Sequence, residues 1–299
     1  MTFEGRRLAP IKLNLTLHVG AVRSDGYHPV SSLCVFPAIG DEVALGPASD
    51  DFALEVTGPF ADDLKDVPSE ENLVLRAARL LAGEVSVPPC RFRLAKRVPA
   101  ASGLGGGTAD AAAALCLLNE ASEAPLPRSE LIALSRELGA DGPVCTAAAL
   151  RGGGILLAEG DGDRVSPLGS APPLFTVVSN PLVPVPTGAV FKRFDAAMPA
   201  AGLRQRLPGM GAAALVAAAA RGRNDLRLPA RTIAPIIGRV ERDLSRAPGS
   251  LFARMSGSGA SVFALFASPL DAARCARAER ARGRWAEAAP LLRGIAGGA

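Results

Sequence analysis

The sequence predicts an α+β protein of two domains, and three observations carry that expectation. Residues 10–19 alternate apolar and polar without a fault, which is the period of a half-buried strand. The polar–apolar run Arg91 to Lys96 leads into a glycine-dense loop and then an unbroken alanine- and leucine-rich stretch, Ala109 to Asn119, a strand–loop–helix unit. The 299 residues allow one large or two medium domains. A boundary near Pro167 to Pro173 divides the chain into 1–168 and 169–299.

Taken in order, Ile11, Leu13, Leu15, Leu17 and Val19 share one face of the first strand, which puts Lys12, Asn14 and Thr16 on the other. Ser24-Asp25-Gly26 is a turn signal, and apolar strands follow at Val30 to Phe36 and Glu42 to Leu45. Helical spacing marks Asn72 to Leu81 and Arg128 to Leu138, the latter capped by Gly139 before the turn Ala140-Asp141-Gly142-Pro143. A short helix over Val144 to Ala149 and a strand over Ile155 to Ala158 complete the first half. In the second, a sheet begins near Phe175. Helices follow at Thr187 to Met198, Ala212 to Ala220 and Pro229 to Ser245, and a strand runs over Val262 to Phe266.

Composition narrows the function. A hydrophobic share of 48% and a charged share of 21% are those of an ordinary globular protein. Arg6, Arg7 and Lys12 sit in the alternating N-terminal pattern, so no signal peptide is expected, and no apolar run reaches membrane-span length. The net charge of +4 is mild and, with one Tyr and one Trp, leaves little for stacking on nucleic acid. Five cysteines without C-x-x-C spacing read as buried free thiols of a cytoplasmic protein. No metal-ligand cluster is expected.

Pro99-Ala-Ala-Ser-Gly-Leu-Gly-Gly-Gly-Thr108 is the feature that points to chemistry. Strand, glycine loop and helix N-terminus aim free backbone N–H groups and the positive end of the helix dipole at an anion. The spacing is neither that of a Walker A loop nor that of the dinucleotide fingerprint. A glycine-rich connector that merely turns the chain is the alternative.

Three separated segments then resemble the GHMP small-molecule kinases. They are Ala9 to Leu15 with Arg23-Ser-Asp-Gly-Tyr-His28, Lys96 to Asp110 with Leu138-Gly-Ala-Asp-Gly-Pro143, and Met255-Ser-Gly-Ser-Gly-Ala-Ser261. Val185-Pro-Thr187 and Asn224-Asp-Leu226 fall between them. The Asp-Gly-Tyr-His segment points to the branch that phosphorylates a cytidine-diphosphate-linked methylerythritol in the non-mevalonate isoprenoid route. That resemblance implies an N-terminal half like ribosomal S5 domain 2, a ferredoxin-like C-terminal half and an active site in the cleft between them. It implies Asp141 as the base and Lys12 as its charge partner. ATP, with Mg²⁺, would lie on Pro99, Ala100, Ala101, Ser102, Gly103, Leu104, Gly105, Gly106, Gly107 and Thr108. Asn14 and Thr187 would face the acceptor, Tyr27 and Phe191 would sandwich its cytosine, and His28 would read the ring through backbone or ring hydrogen bonds. Gly257, Ser258 and Gly259 would form a second loop against the site. The chain departs from the family pattern at Ile11, Gly142 and Gly188. Two readings compete: a kinase of homoserine or mevalonate, and an idle nucleotide-binding regulator. Partners are expected to be small molecules, with no nucleic acid or membrane, and the oligomeric state, monomer or weak homodimer, is open.

Overall fold

The expected strand over residues 10–19 is broken in the folded chain. β1 (Gly5–Pro10) pairs antiparallel with β5 (Gly40–Pro47), whereas β2 (Leu13–Asn14) and β3 (His18–Val19) pair with β4 (Val30–Val35). The structure, a computed structural model, describes residues 5–48, 50–197, 202–205, 207, 209 and 211–295. The break follows from where the backbone finds partners. The N–H of Lys12 donates to the Leu104 carbonyl (2.9 Å), that of Leu15 to Leu33 (2.8 Å) and that of Leu17 to Arg223 (2.8 Å). Both faces are covered, so Lys12, Asn14 and Thr16 are as buried as the apolar residues between them. Alternation reported the side-chain period correctly but not a solvent-facing side.

The chain forms two compact units. One comprises residues 1–11, 39–100 and 105–151, and the other 12–38, 101–104 and 152–299. They interleave in sequence.

In the first unit, β1, β5, β7 (Cys90–Ala95) and β6 (Ala53–Thr57) form a sheet in the order β1-β5-β7-β6, with β6 and β7 parallel. Its helices are α1 (Leu73–Ala82), α2 (Gly106–Ala121), α3 (Arg128–Leu134) and α4 (Gly142–Arg151). Asn72 caps α1 by accepting from the Val74 N–H (3.0 Å). The expected helix to Leu138 ends in a 3₁₀ turn, Ser135–Leu138, and Gly139 leaves it at φ +119°. α2 is buried from Ala109 to Asn119, and every residue of that stretch except Asp110 and Asn119 is apolar. Its alanines let α1, α4, β1 and β5 approach closely.

In the second unit, β2 and β3 lie beside β4, followed by β8 (Ile155–Gly160) and β9 (Arg164–Gly169). A further antiparallel sheet runs β11 (Ser250–Met255), β12 (Val262–Phe266), β10 (Phe175–Asn180), β13 (Trp285–Pro290). Between β10 and β11 come α5 (Thr187–Ala197), α6 (Ala212–Arg221), α7 (Arg227–Ile233) and α8 (Ile236–Ser245), and α9 (Pro269–Ala281) joins β12 to β13. This strand order, with helical connections after its first and third strands, is the ferredoxin-like split βαβ arrangement. The core beneath it joins Val177, Val262, Ala264 and Phe266 to Ile237, Val240 and Leu244.

The helix expected over Pro229 to Ser245 is two, because Pro235 follows Ala234 and that residue is extended (φ −129°, ψ 85°). The expected end at Met198 lies outside the described residues. β11, α9 and β13 carried no sequence assignment, although Ser268 and Pro269 form a legible helix start. The five cysteines are free and buried. Burial pushes the Cys90 and Cys116 thiols up to about 12, which keeps them protonated.

Candidate active site

The glycine loop crosses the two units: Ala101–Leu104 belongs to the second and Gly105 onward to the first. Gly105, at φ +66°, opens α2 without a side-chain cap, so the N–H groups of the first helical turn have no intrahelical acceptor. The first α2 bond runs from Ala109 N–H to the Gly105 carbonyl (2.8 Å). Thr108 places a hydroxyl-bearing residue in that turn.

In the second unit, the segment Ala101–Leu104 is seated against the loop 256–261. The Ser102 carbonyl accepts from the Ser261 hydroxyl (2.7 Å) and N–H (3.3 Å). Gly103 is at φ +74°, and a Cβ there would collide with the Gly259 carbonyl. A Cβ on Gly257 (φ +55°) would stand 2.6 Å from the Gly103 carbonyl oxygen. Two backbones meet with no room for side chains at Gly103 and Gly257, whereas a Cβ on Gly259 (φ +90°) would press on the Met255 and Ile237 side chains.

A neutral hydrogen-bond network holds this loop. The Asn14 N–H donates to Ser256 Oγ (3.0 Å), Asn14 Nδ2 donates to Ser32 Oγ (2.7 Å), and Ser32 Oγ donates to the Thr16 carbonyl (2.7 Å). Asn224 Nδ2 donates to the Met255 and Gly257 carbonyls (3.0 and 2.9 Å). Arg254 donates to the carbonyls of Leu15, Ala219 and Gly222 at 2.9 Å each. Burial lowers its guanidinium to about 10, still charged at neutral pH. Asn14 is 1% exposed, so its side chain is committed to the protein's own framework.

Of the residues expected around the cytosine, Phe191 and His28 pack against each other. Phe191 lies against the His28 ring, with centroids 5.4 Å apart and planes tilted by 32°, and Phe194 meets that ring edge-on at 5.7 Å. His28 Nδ1 faces the Gly20 carbonyl (2.8 Å), and since a carbonyl only accepts, Nδ1 carries the hydrogen. Nε2 lies 3.0 Å from Asp195 Oδ1. Both ring nitrogens are engaged within the protein. Tyr27 is 69% exposed. The Thr187 hydroxyl meets that of Ser258 at 2.9 Å.

In the first unit, Asp141 stands immediately before α4, where its carbonyl accepts the Cys145 N–H (3.0 Å). Gly142, a departure from the family pattern, has a local cause: a Cβ there would collide with the Ser135 carbonyl. Lys12 and Asp141 thus fall in different units, Lys12 buried and Asp141 half-buried. Sequence reasoning gave no role to Asp41, Lys96, Asp110, Arg254 or Ser256. The bare Lys and Asp letters carried no signal, since each acts through partners 14 or more residues away. Among the described residues no group of three or more His, Cys, Asp or Glu side chains is placed to hold a metal ion.

The glycine loop opening α2 and the ferredoxin-like second sheet define the class. The family profile of the GHMP kinases N terminal domain matches residues 72–153, and that of the GHMP kinases C terminal matches 200–284. A 4-diphosphocytidyl-2-C-methyl-D-erythritol kinase of Caulobacter vibrioides is 46% identical, covering 95% of this chain and 97% of that protein. A crystal structure of 4-(cytidine 5'-diphospho)-2C-methyl-D-erythritol kinase superposes with a TM-score of 0.75 at 33% identity, covering 98% of this chain and all of that one. A homoserine kinase from Cytophaga hutchinsonii shares the fold at a TM-score of 0.63 and 19% identity, with 98% of both chains covered. The chain belongs to the 4-diphosphocytidyl-2-C-methyl-D-erythritol kinase family of the GHMP kinases.

Proposed function

We propose that this chain transfers the γ-phosphoryl group of ATP to the 2-hydroxyl of 4-diphosphocytidyl-2-C-methyl-D-erythritol, a step of the non-mevalonate isoprenoid route. The observation that carries the reading is the uncapped, glycine-opened start of α2 in a chain 46% identical over nearly its whole length to a kinase of that name. The acceptor hydroxyl oxygen attacks the γ-phosphorus, the bond to the β,γ-bridging oxygen breaks, ADP leaves, and the acceptor's proton passes to the Asp141 carboxylate. Lys12 offsets negative charge around that carboxylate. The N–H groups at the start of α2 receive the nucleotide phosphates, and Pro99 to Thr108 form the cradle. Magnesium brought in with ATP would spread charge off its phosphates, and Thr108 in the first turn of α2 would offer it or a phosphate a hydroxyl. Tyr27 stacks on the cytosine, while the His28 backbone and Thr187 face the acceptor. Phe191 supports that surface through the His28 ring. The division into 1–168 and 169–299 and a cytoplasmic location belong to the same proposal. Among the described residues no helix is long and apolar enough to cross a membrane.

Purified protein offered ATP and each acceptor in turn tests it. Turnover is expected with the cytidine-bearing acceptor and not with homoserine, mevalonate or methylerythritol phosphate, because remote binding energy positions the reacting hydroxyl. Robust turnover of homoserine or mevalonate, indifferent to the cytidine group, overturns the substrate assignment. ATP binding without phosphorylation of any acceptor favours the regulator instead.

A further inference from the structure

Asp41, Lys96 and Asp110 are ionisable, and the proposed chemistry uses none of them. Their side chains are 1%, 2% and 3% exposed. Lys96 Nζ donates to Asp41 Oδ2 and, at 3.2 Å, to Asp110 Oδ2. Asp41 Oδ1 accepts the backbone N–H groups of Arg97 and Val98, the latter at 2.9 Å. The glycine loop's entrance is therefore tied through Asp41 and Lys96 to Asp110, which lies on α2 just past the loop's exit. A Cβ on Gly106 would lie 3.5 Å from Lys96 Nζ and 3.9 Å from Asp41 Oδ2, so the ammonium sits directly under the first residue of α2.

Stability alone is a poor reason for such an arrangement, because buried ion clusters are often no more stabilising than apolar side chains of the same volume. Asp110 Oδ1 is buried without a hydrogen-bond partner among the described residues. Burial pushes the Asp110 carboxyl well up, against the opposing pull of Lys96. For Lys96, burial alone would lower the ammonium, but the two carboxyl groups outweigh it and raise it. What the cluster supplies is direction, since one cation bonded to two anchored carboxyls admits a single geometry.

We infer that Asp41, Lys96 and Asp110 are positioning residues that hold the two ends of the phosphate loop together, aiming the first-turn N–H groups of α2 at the nucleotide. The inference rests on the reading of that loop as the ATP cradle. Three changes in the full-length protein test it: Asp110→Ala, Asp110→Asn and the charge-balanced pair Lys96→Met with Asp110→Asn. The readouts are the Kd of ADP by calorimetry, the KM values for ATP and for the cytidine-bearing acceptor, and Tm. Asp110→Ala and the double variant are expected to weaken ADP and raise the ATP KM about tenfold, with the acceptor KM within about twofold. Asp110→Asn, whose carboxamide oxygen still accepts from Lys96, is expected to recover most of the loss. If Asp110→Ala does not fold, the double variant decides. ADP affinity and ATP KM within twofold of wild type, with only Tm lowered, overturn the inference. Gly106→Val separates this from failure of the underlying reading: if it leaves ADP affinity unchanged, the loop is not the cradle.

Discussion

The two glycine loops are held by opposite kinds of chemistry. Around Gly105 and Gly106 the clamp is charged: Asp41, Lys96 and Asp110 share one buried cluster. Around Gly257 and Gly259 it is mostly neutral, built from Asn14, Ser32, Ser256 and Asn224, and the one guanidinium beside them, Arg254, bonds to backbone carbonyls. Each buried hydroxyl or amide in the neutral network contributes modestly, and losing one leaves an uncharged neighbour unsatisfied rather than a buried charge unpaired. The charged cluster is less forgiving, because removing Lys96 leaves the buried Asp110 carboxyl with no hydrogen-bond donor among the described residues. The neutral clamp therefore suits a loop whose glycines already force backbone against backbone. The charged one suits a loop that must hold its form before the nucleotide arrives.

The largest effect should come from outside both clamps, at the residue proposed to do chemistry. Asp141→Asn is expected to lower kcat about 10²–10⁴-fold with ADP affinity nearly unchanged; a loss below tenfold in steady state removes Asp141 from the role of base. Within the comparison, Lys96→Met should destabilise the fold by about 3–5 kcal/mol, whereas Ser256→Ala should cost about 1–3 kcal/mol. Urea midpoints read both, and equal costs would erase the distinction between the clamps. Tyr27→Ala touches neither clamp. It should leave Tm unchanged while raising the acceptor KM about five- to 150-fold, the value of one base–aromatic stack of roughly 1–3 kcal/mol. An unchanged KM would remove Tyr27 from the cytidine side.

The smallest effect is a pH signature of the charged clamp. The Asp110 carboxyl is raised in the folded chain. Its contribution to stability is therefore present below the ordinary aspartate range and is lost as pH rises through the raised value. Asparagine does not titrate, so the Tm of Asp110→Asn relative to wild type should climb between pH 4 and pH 8. A difference that stays flat over that range would show that burial does not raise this carboxyl.

The sequence by itself determined the elements whose signals are local. Arg91 to Lys96 announced β7, Ala109 to Asn119 announced α2, and Asn72 with its apolar spacing announced α1. The glycine loop and the resemblance of its flanking segments were enough to place the chain among the GHMP kinases. Only the tertiary structure decided which backbone groups residues 10–19 would bond, and so broke one expected strand into β1, β2 and β3. It also turned the His28 ring toward Gly20 and Asp195, and it brought Asp41 and Lys96, 55 residues apart, into one cluster under α2. The physical reason is the same in each case. Side-chain period and capping are set within a few residues, whereas the partner that satisfies a buried donor or charge is chosen by the whole fold.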